Sequence, residues 1–419
     1  MQFDPLRYED LRNPYPIYRK LRDEAPVYQT PGSGIWCVSR YDDVQAVLKS
    51  PDAFSSRAMF TMLMNQGNEG MPPLSWGMLR FVVRMLVQTR LDPRGFATAR
   101  NLIAEDGARH TGMRNIVNRG FTPRQIAALE PRVRAGVEAC MARLRKGEGF
   151  DVMSEVAIPL PVSIIAELLG VEPDRLADFK RWSDAFVANI SGAGRQDPFN
   201  PRFQDAMIGL IRYIQRIARA RRAEPTDDLI STILAEQDGD VALTNREVVQ
   251  FVILLLVAGN ETTTNLIGNA VSALLDNPEA LKCLAREPER VPQALEETLR
   301  YDAPIQQVFR KATRDSEIAG TRIPEGGTVA VLIGSANRDE RRFPDPDRFD
   351  LERDVRGHLG FGFGKHFCLG ASLARLEARA ALEALAPELP NFARAAGERE
   401  LVDSFLVRGP RRLELRAVA

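Results

Sequence analysis

The sequence predicts a mainly α protein with a minor β portion, folded as a single domain over residues 1–419. Three observations carry that expectation. Helical spacing of apolar residues dominates the chain, and one helix near its middle is apolar on every side. Strand-like runs are confined to short stretches near residues 25–40, 309–332 and 400–416. With 44% apolar and 27% charged residues, the composition is that of a globular protein with ample chain to enclose a ligand.

Near the N-terminus, Ile35-Trp36-Cys37-Val38 reads as a strand, followed by a helix over Asp42–Leu48 that ends at Pro51. Residues 58–105, rich in Met, Gly and Pro, read as a long irregular loop of the kind that forms lids or binding loops. Helical patterns run from Arg109 to Arg222. The central helix enters through Thr244, with Glu247 at capping-box spacing. Its middle, Val252-Ile253-Leu254-Leu255-Leu256-Val257, has no polar face and must be buried. A helix over Pro292–Tyr301 stops before Pro304, short strands with a turn at Pro324-Glu325-Gly326-Gly327 follow, and a last helix spans Leu369–Ala386.

Fifty-six basic residues balance 56 acidic ones, which argues against a nucleic-acid partner or bulk-charge attraction to a membrane. The N-terminus has no basic start followed by an apolar run. The longest strongly apolar stretch, Phe251–Ala258, is far short of the ~20 residues that cross a bilayer, so no membrane anchor is expected. Cys37, Cys140, Cys283 and Cys368 lie far apart with no paired spacing, which excludes a disulfide scaffold and fits a cytoplasmic protein.

One cysteine stands out. Cys368 lies in Phe361-Gly362-Phe363-Gly364-Lys365-His366-Phe367-Cys368-Leu369-Gly370, a turn-rich run just ahead of a helix. Glycines let the backbone approach a ligand closely, and a helix N-terminus favours thiolate. A thiolate in a Phe-lined loop suits iron, whereas zinc would need partners at metal spacing that His366 alone does not supply. A dinucleotide loop fails because GxGxxG is not completed. The other three cysteines read as buried and inert. This ten-residue run resembles the haem-ligand signature of the cytochrome P-450 superfamily, FGxGxHxCxG, without a mismatch. The resemblance implies haem b with Cys368 as axial thiolate, lodged between the central helix and the helix after the Cys loop, with Phe361, Gly362, His366 and Gly370 around it.

Further motifs agree. In Ala258-Gly259-Asn260-Glu261-Thr262-Thr263, a carboxylate and two hydroxyls interrupt an apolar helix, and Thr262 can bond back to the Ala258 carbonyl. The segment resembles the family's AGx[DE]TT. That implies room for dioxygen at Ala258 and Gly259, a hydroxyl at Thr262 to hold it, and a proton relay through Glu261. Glu297 and Arg300 share a helix face. They resemble the family's ExxR, and Pro346-Asp347-Arg348-Phe349 its later arginine segment, which implies a structural network of Glu297, Arg300 and Arg348. Of three histidines, His366 is in the Cys motif; the resemblance assigns His110, Arg114, Arg310 and His358 to the haem propionates. The lead-in Asp106-Gly107-Ala108-Arg109 and Gly112 depart from the family pattern.

The same resemblance places Leu254, Ala258, Ile305, Gln306, Val308, Phe405 and Leu406 against an apolar substrate: a fatty acid, terpenoid, steroid or macrocycle. Arg80, Arg84 and Arg90 would suit a carboxylate. The implied reaction is hydroxylation or epoxidation with O2 and two electrons from NAD(P)H, delivered by a separate reductase and a ferredoxin or flavodoxin. Arg109, Arg119, Arg124 and Lys365 would meet that carrier. A peroxide-driven peroxygenase and a non-catalytic haem sensor or carrier are the alternatives.

Overall fold

A 32-residue helix, Asn245–Asp276, runs through the middle of the molecule and organises the rest. It begins as the sequence dictates. The Thr244 hydroxyl accepts from the Glu247 N–H at 3.3 Å, and the Glu247 carboxylate accepts the Thr244 N–H at 2.9 Å, closing both halves of the capping box. The computed structural model describes residues 2–59, 62, 76–91, 101–142, 144–146, 149–190, 200–238, 241–395 and 399–418.

Two apolar cores share the central helix. Its second half packs with the helices Pro123–Met141, Val291–Tyr301 and Ala371–Leu385 through Leu266, Ile267, Leu295 and Leu382. Its first half packs with Gly107–Asn118, Leu176–Ile190 and Pro201–Ala223 through Val248, Val252, Phe179 and Leu210. The helix Pro159–Leu168 touches both, through Leu160 and Ile164 on one side and Ile165 on the other.

The β portion gathers strands distant in sequence. A five-stranded sheet runs in the order Val27–Gln29, Trp36–Val38, Thr328–Val331, Val308–Ala312, Phe54–Ser55. Thr328–Val331 lies parallel to Trp36–Val38 and antiparallel to Val308–Ala312, where Val329 pairs with Arg310. The register thereby fixes Arg310. Near 400–416 the expected β segment shrinks to the strand Glu414–Ala417 and two isolated bridges, Leu401 with Pro410 and Ile305 with Val407.

Two expectations need correction. Within the stretch read as an irregular loop, Trp76–Thr89 is a helix of 14 residues, because apolar side chains recur at helical spacing between the Gly- and Pro-rich flanks. Residues 60–61, 63–75 and 92–100 of that stretch lie outside the described residues. The central helix is not buried all round: Ile253, Leu254, Val257 and Thr262 are half-buried and Ala258 is exposed, so one face looks onto interior space. This is also the one described helix long and apolar enough to cross a membrane, and 67% of its most apolar window is packed inside the protein.

Candidate active site

The loop carrying Cys368 is shaped by its own backbone. Gly362 and Gly364 take φ of +73° and +72°, and a Cβ on Gly364 would come within 2.9 Å of the Leu48 carbonyl oxygen, so only glycine fits there. The Cys368 N–H donates to the Phe361 carbonyl at 2.9 Å, closing the loop. The sulfur, half-buried at the start of the helix Ala371–Leu385, receives the Gly370 N–H. Burial pushes the thiol above its ordinary pKa range, while the Gly370 N–H and the Arg114 and Arg375 guanidiniums pull it down. A bound cation in place of the proton would reverse that balance. Cys37 and Cys140 are likewise pushed up by burial, without such donors, as befits inert thiols.

Behind the loop two adjacent carboxylates do separate work. Glu297 and Arg300 are almost fully buried and meet in a forked pair, at 2.7 Å from Nε and 2.8 Å from Nη2. Arg300 also donates to the carbonyls of Asn337, Pro346 and Arg348, so it ties the strand-to-loop return to this helix. The third member is not Arg348. Its guanidinium turns outward to Asp350 at 2.8 Å and is mostly exposed, leaving only its carbonyl in the network. Arg353 reaches Glu297 instead, at 3.4 Å, with its side chain buried. Glu296, which the motif does not include, holds Arg375 at 2.6 and 2.8 Å and His358 at 2.9 Å. Burial alone would raise its carboxyl, but these partners hold it at about 2. Arg375 lies over the Phe361 ring at 4.4 Å, so Glu296 braces the Cys loop from beneath.

His358 is therefore committed elsewhere. Its Nδ1 accepts the Gly360 N–H at 3.1 Å and its Nε2 faces Glu296, so neither nitrogen remains for a propionate. The other predicted cationic and histidine residues do come together. The His110 and His366 rings stack with centroids 4.1 Å apart. His366 Nε2 lies 2.9 Å from Ser56 Oγ and 3.6 Å from Asp106, a residue the sequence reading left without a role. Asp106 also accepts from Ser55 and Ser56, and despite burial these bonds and His366 hold it at about 2. Arg114 donates to the Phe367 carbonyl at 2.7 Å. Arg310, 6% exposed, bonds only its own strand's Phe309 carbonyl at 2.9 Å, and burial lowers its guanidinium to about 10.

On the central helix, Thr262 Oγ1 donates to the Ala258 carbonyl at 2.6 Å and Thr263 Oγ1 to that of Gly259 at 3.0 Å, as the spacing predicts. Glu261 is buried. A Cβ on Gly259 would lie 3.0 Å from Ile165 Cδ1, so the glycine also lets the neighbouring helix pack closely. Exposed Ala258 and half-buried Gly259 both keep this part of the helix small. Asn260 donates to Ser183 Oγ at 2.8 Å, joining this segment to the helix Leu176–Ile190.

The apolar lining is mixed. Leu254, Ile305, Val308, Phe405 and Leu406 are half-buried, and Phe405 meets Phe309 edge-on at 5.9 Å. Gln306 turns inward: it is 2% exposed, its Nε2 donates to the Ala303 carbonyl, its side chain packs on Gly334, and its Oε1 is buried without a partner. Arg84 is spent on Asp205 at 2.5 Å. Arg109 and exposed Arg119 are paired with Glu247 and Glu236, leaving Lys365 and Arg124 as the exposed bases of the expected docking set with no ion pair among the described residues.

The comparisons with known proteins decide the family. A family model described as Cytochrome P450 matches residues 196–389. Cytochrome P450 109 of Bacillus spizizenii is 39% identical over 409 residues, covering 96% of this chain and 91% of the relative. The chain belongs to the cytochrome P450 family. The solved structure of P450 CYP109Q5 from Chondromyces apiculatus superposes with a TM-score of 0.85 at 39% identity, over 100% of this chain and 98% of that one. CYP109E1 from Bacillus megaterium, solved in complex with testosterone, gives 0.82 at 32% identity over 97% and 100%. Relatives of this length and similarity are P450 monooxygenases and hydroxylases, so this is an oxidoreductase of a haem-thiolate family.

The residues present fit that cofactor. His110 Nε2 is buried with no partner, and neither Arg114 nor Arg310 forms an ion pair with a described carboxylate. Asp106 acts on Arg310 only at a distance and is itself held by Ser55, Ser56 and His366, so buried Arg310 and half-buried Arg114 lack a directly bonded counter-ion, which two propionates would supply. Among the described residues no cluster of three His, Cys, Asp or Glu could hold a metal ion.

Proposed function

We propose that this P450 binds haem b through the Cys368 sulfur and inserts one oxygen atom of O2 into a C–H or C=C bond of a largely apolar small molecule. The observation that carries the reading is the buried, unpartnered His110 Nε2 together with buried Arg310 and half-buried Arg114, neither of which is in an ion pair with a described carboxylate. When bound, the haem supplies the electron-transfer chemistry that activates dioxygen. Cys368 provides a thiolate stabilised by the Gly370 N–H, Arg114 and Arg375. Arg114, Arg310 and His110 bind and orient the propionates. Ala258 keeps the opposite wall low. The Thr262 hydroxyl, turned to the Ala258 carbonyl at 2.6 Å, can donate instead toward dioxygen, and buried Glu261 replenishes its proton.

Leu254, Ile305, Val308, Phe405 and Leu406 favour an apolar substrate, and the steroid seen in the Bacillus megaterium relative makes that class the first to try. Electrons come from NAD(P)H through a separate reductase and a ferredoxin or flavodoxin, with Lys365 and Arg124 on the docking face. The test is Thr262→Ala. It should keep haem and ligand binding while diverting electrons to hydrogen peroxide; tightly coupled product formation, or efficient peroxide-driven turnover that ignores the substitution, would overturn the relay.

A further inference from the structure

The helix Trp76–Thr89 has an apolar face that no described residue covers. Nine large apolar side chains are exposed among the described residues, and five of them lie on this one helix: Trp76, Leu79, Val83, Leu86 and Val87. Trp76 is 87% and Val87 74% exposed. At 3.6 residues per turn these five fall within an arc of about 100°. Met85 and Thr89 point the other way and are buried, where Gln215 of the helix Pro201–Ala223 donates to the Thr89 carbonyl at 3.0 Å. The face is therefore held outward by packing on the opposite side.

Charge says what covers it. The helix contains Arg80 and Arg84 and no acidic residue, and both arginines fall along one edge of the apolar arc. Arg84 is neutralised by Asp205, but Arg80 is exposed, and exposed Arg90 follows the last turn. A second copy docked through the same face would bring no acidic side chain of this helix to meet Arg80. An indole at one end, aliphatic side chains along the middle and a basic edge match a helix lying in the headgroup region of a bilayer.

We propose that Trp76–Thr89 is a membrane-surface element that lays its apolar face into an anionic phospholipid bilayer and docks the protein peripherally. No spanning segment is involved, and the zero net charge of the chain is no obstacle, because both the apolar area and the basic edge are local. The inference is independent of the haem chemistry.

The test is sedimentation of the haem-loaded protein with vesicles of phosphatidylcholine and phosphatidylglycerol, against pure phosphatidylcholine, at low salt. The protein should pellet with the anionic vesicles and its emission should shift to the blue. Trp182 is buried and Trp36 half-buried, so Trp76→Phe should remove most of the shift while binding persists. Val83→Glu with Val87→Glu should abolish pelleting, and Arg80→Gln should weaken it about fivefold. All these positions face outward, and unchanged far-ultraviolet dichroism verifies folding. Failure to pellet, equal pelleting with both vesicle types, or pelleting unaffected by the two glutamates would overturn the proposal. So would a concentration-dependent dimer without vesicles that the two glutamates dissolve, which would make the face a self-interface.

Discussion

Replacing Arg353 and Arg348 separately by alanine probes the scaffold behind the Cys loop. Arg353 lies with its side chain buried and donates to Glu297 at 3.4 Å and to the carbonyls of Pro344, Asp345 and Arg348. Its loss strips one of two cations from a carboxylate that is 1% exposed and leaves loop carbonyls unpaired. Hydrogen bonds to buried charged groups contribute roughly 1.5–3 kcal/mol each, and Arg300 retains its forked contact, so Arg353→Ala should cost about 2–3 kcal/mol. The Arg348 guanidinium is 68% exposed and touches only Asp350, an arrangement worth about 0–1 kcal/mol, and its useful carbonyl survives substitution. Urea unfolding followed by far-ultraviolet dichroism and by the Soret band would measure both. Equal losses, or a larger loss for Arg348→Ala, would refute the assignment of Arg353 as the third member of the network.

Other expectations follow from single groups. Glu377, on the helix after the Cys loop, is buried and its carboxyl is pushed up to about 8 by that burial. Its folded pKa exceeds the ordinary 4.5, so its contribution is fully present below pH 4.5 and is lost as pH rises through about 8. Glu377→Gln should therefore flatten the decline in stability between pH 4.5 and about 8; an unchanged slope in pH-resolved denaturation over that window would count against it. Glu296 has the opposite sign. Held at about 2 by Arg375 and His358, it stabilises above pH 4.5 and loses that contribution as pH falls toward 2, so Glu296→Gln should be less acid-sensitive than the wild type. Arg310→Gln should speed haem transfer to an acceptor globin by about tenfold or more, because a charge-assisted bond to a propionate is lost. Unchanged transfer would place the propionates elsewhere.

Much of this site is legible in the sequence because it is local. The Cys loop, the Thr262 bond to Ala258 and the Glu297–Arg300 fork each join residues within a few positions, where helix and turn geometry leave little choice. What spacing cannot show is which distant loop supplies the next partner. Arg353 lies 56 residues beyond Glu297 and competes with Arg348 for the same carboxylate, and only the path of the intervening chain decides between them. Glu296 is hidden for the same reason, since its partners His358 and Arg375 lie 62 and 79 residues away. Gln306 was misplaced because a polar side chain after a helix break can turn inward to satisfy a carbonyl as readily as face a ligand. The helix Trp76–Thr89 did leave a signal, apolar residues at i, i+3, i+7 and i+11 from Trp76, which the Met- and Gly-rich flank obscured.

The ferrous carbon-monoxide spectrum of the purified protein, expressed with abundant haem precursor, bears most directly on the chemistry. The wild type should show the strongly red-shifted Soret band of thiolate ligation, and Cys368→Ser should lose it while Cys37→Ser, Cys140→Ser and Cys283→Ser keep it. A folded wild type that comes out colourless, or a Cys368→Ser variant that retains the band, would contradict the assignment of Cys368 as the ligand.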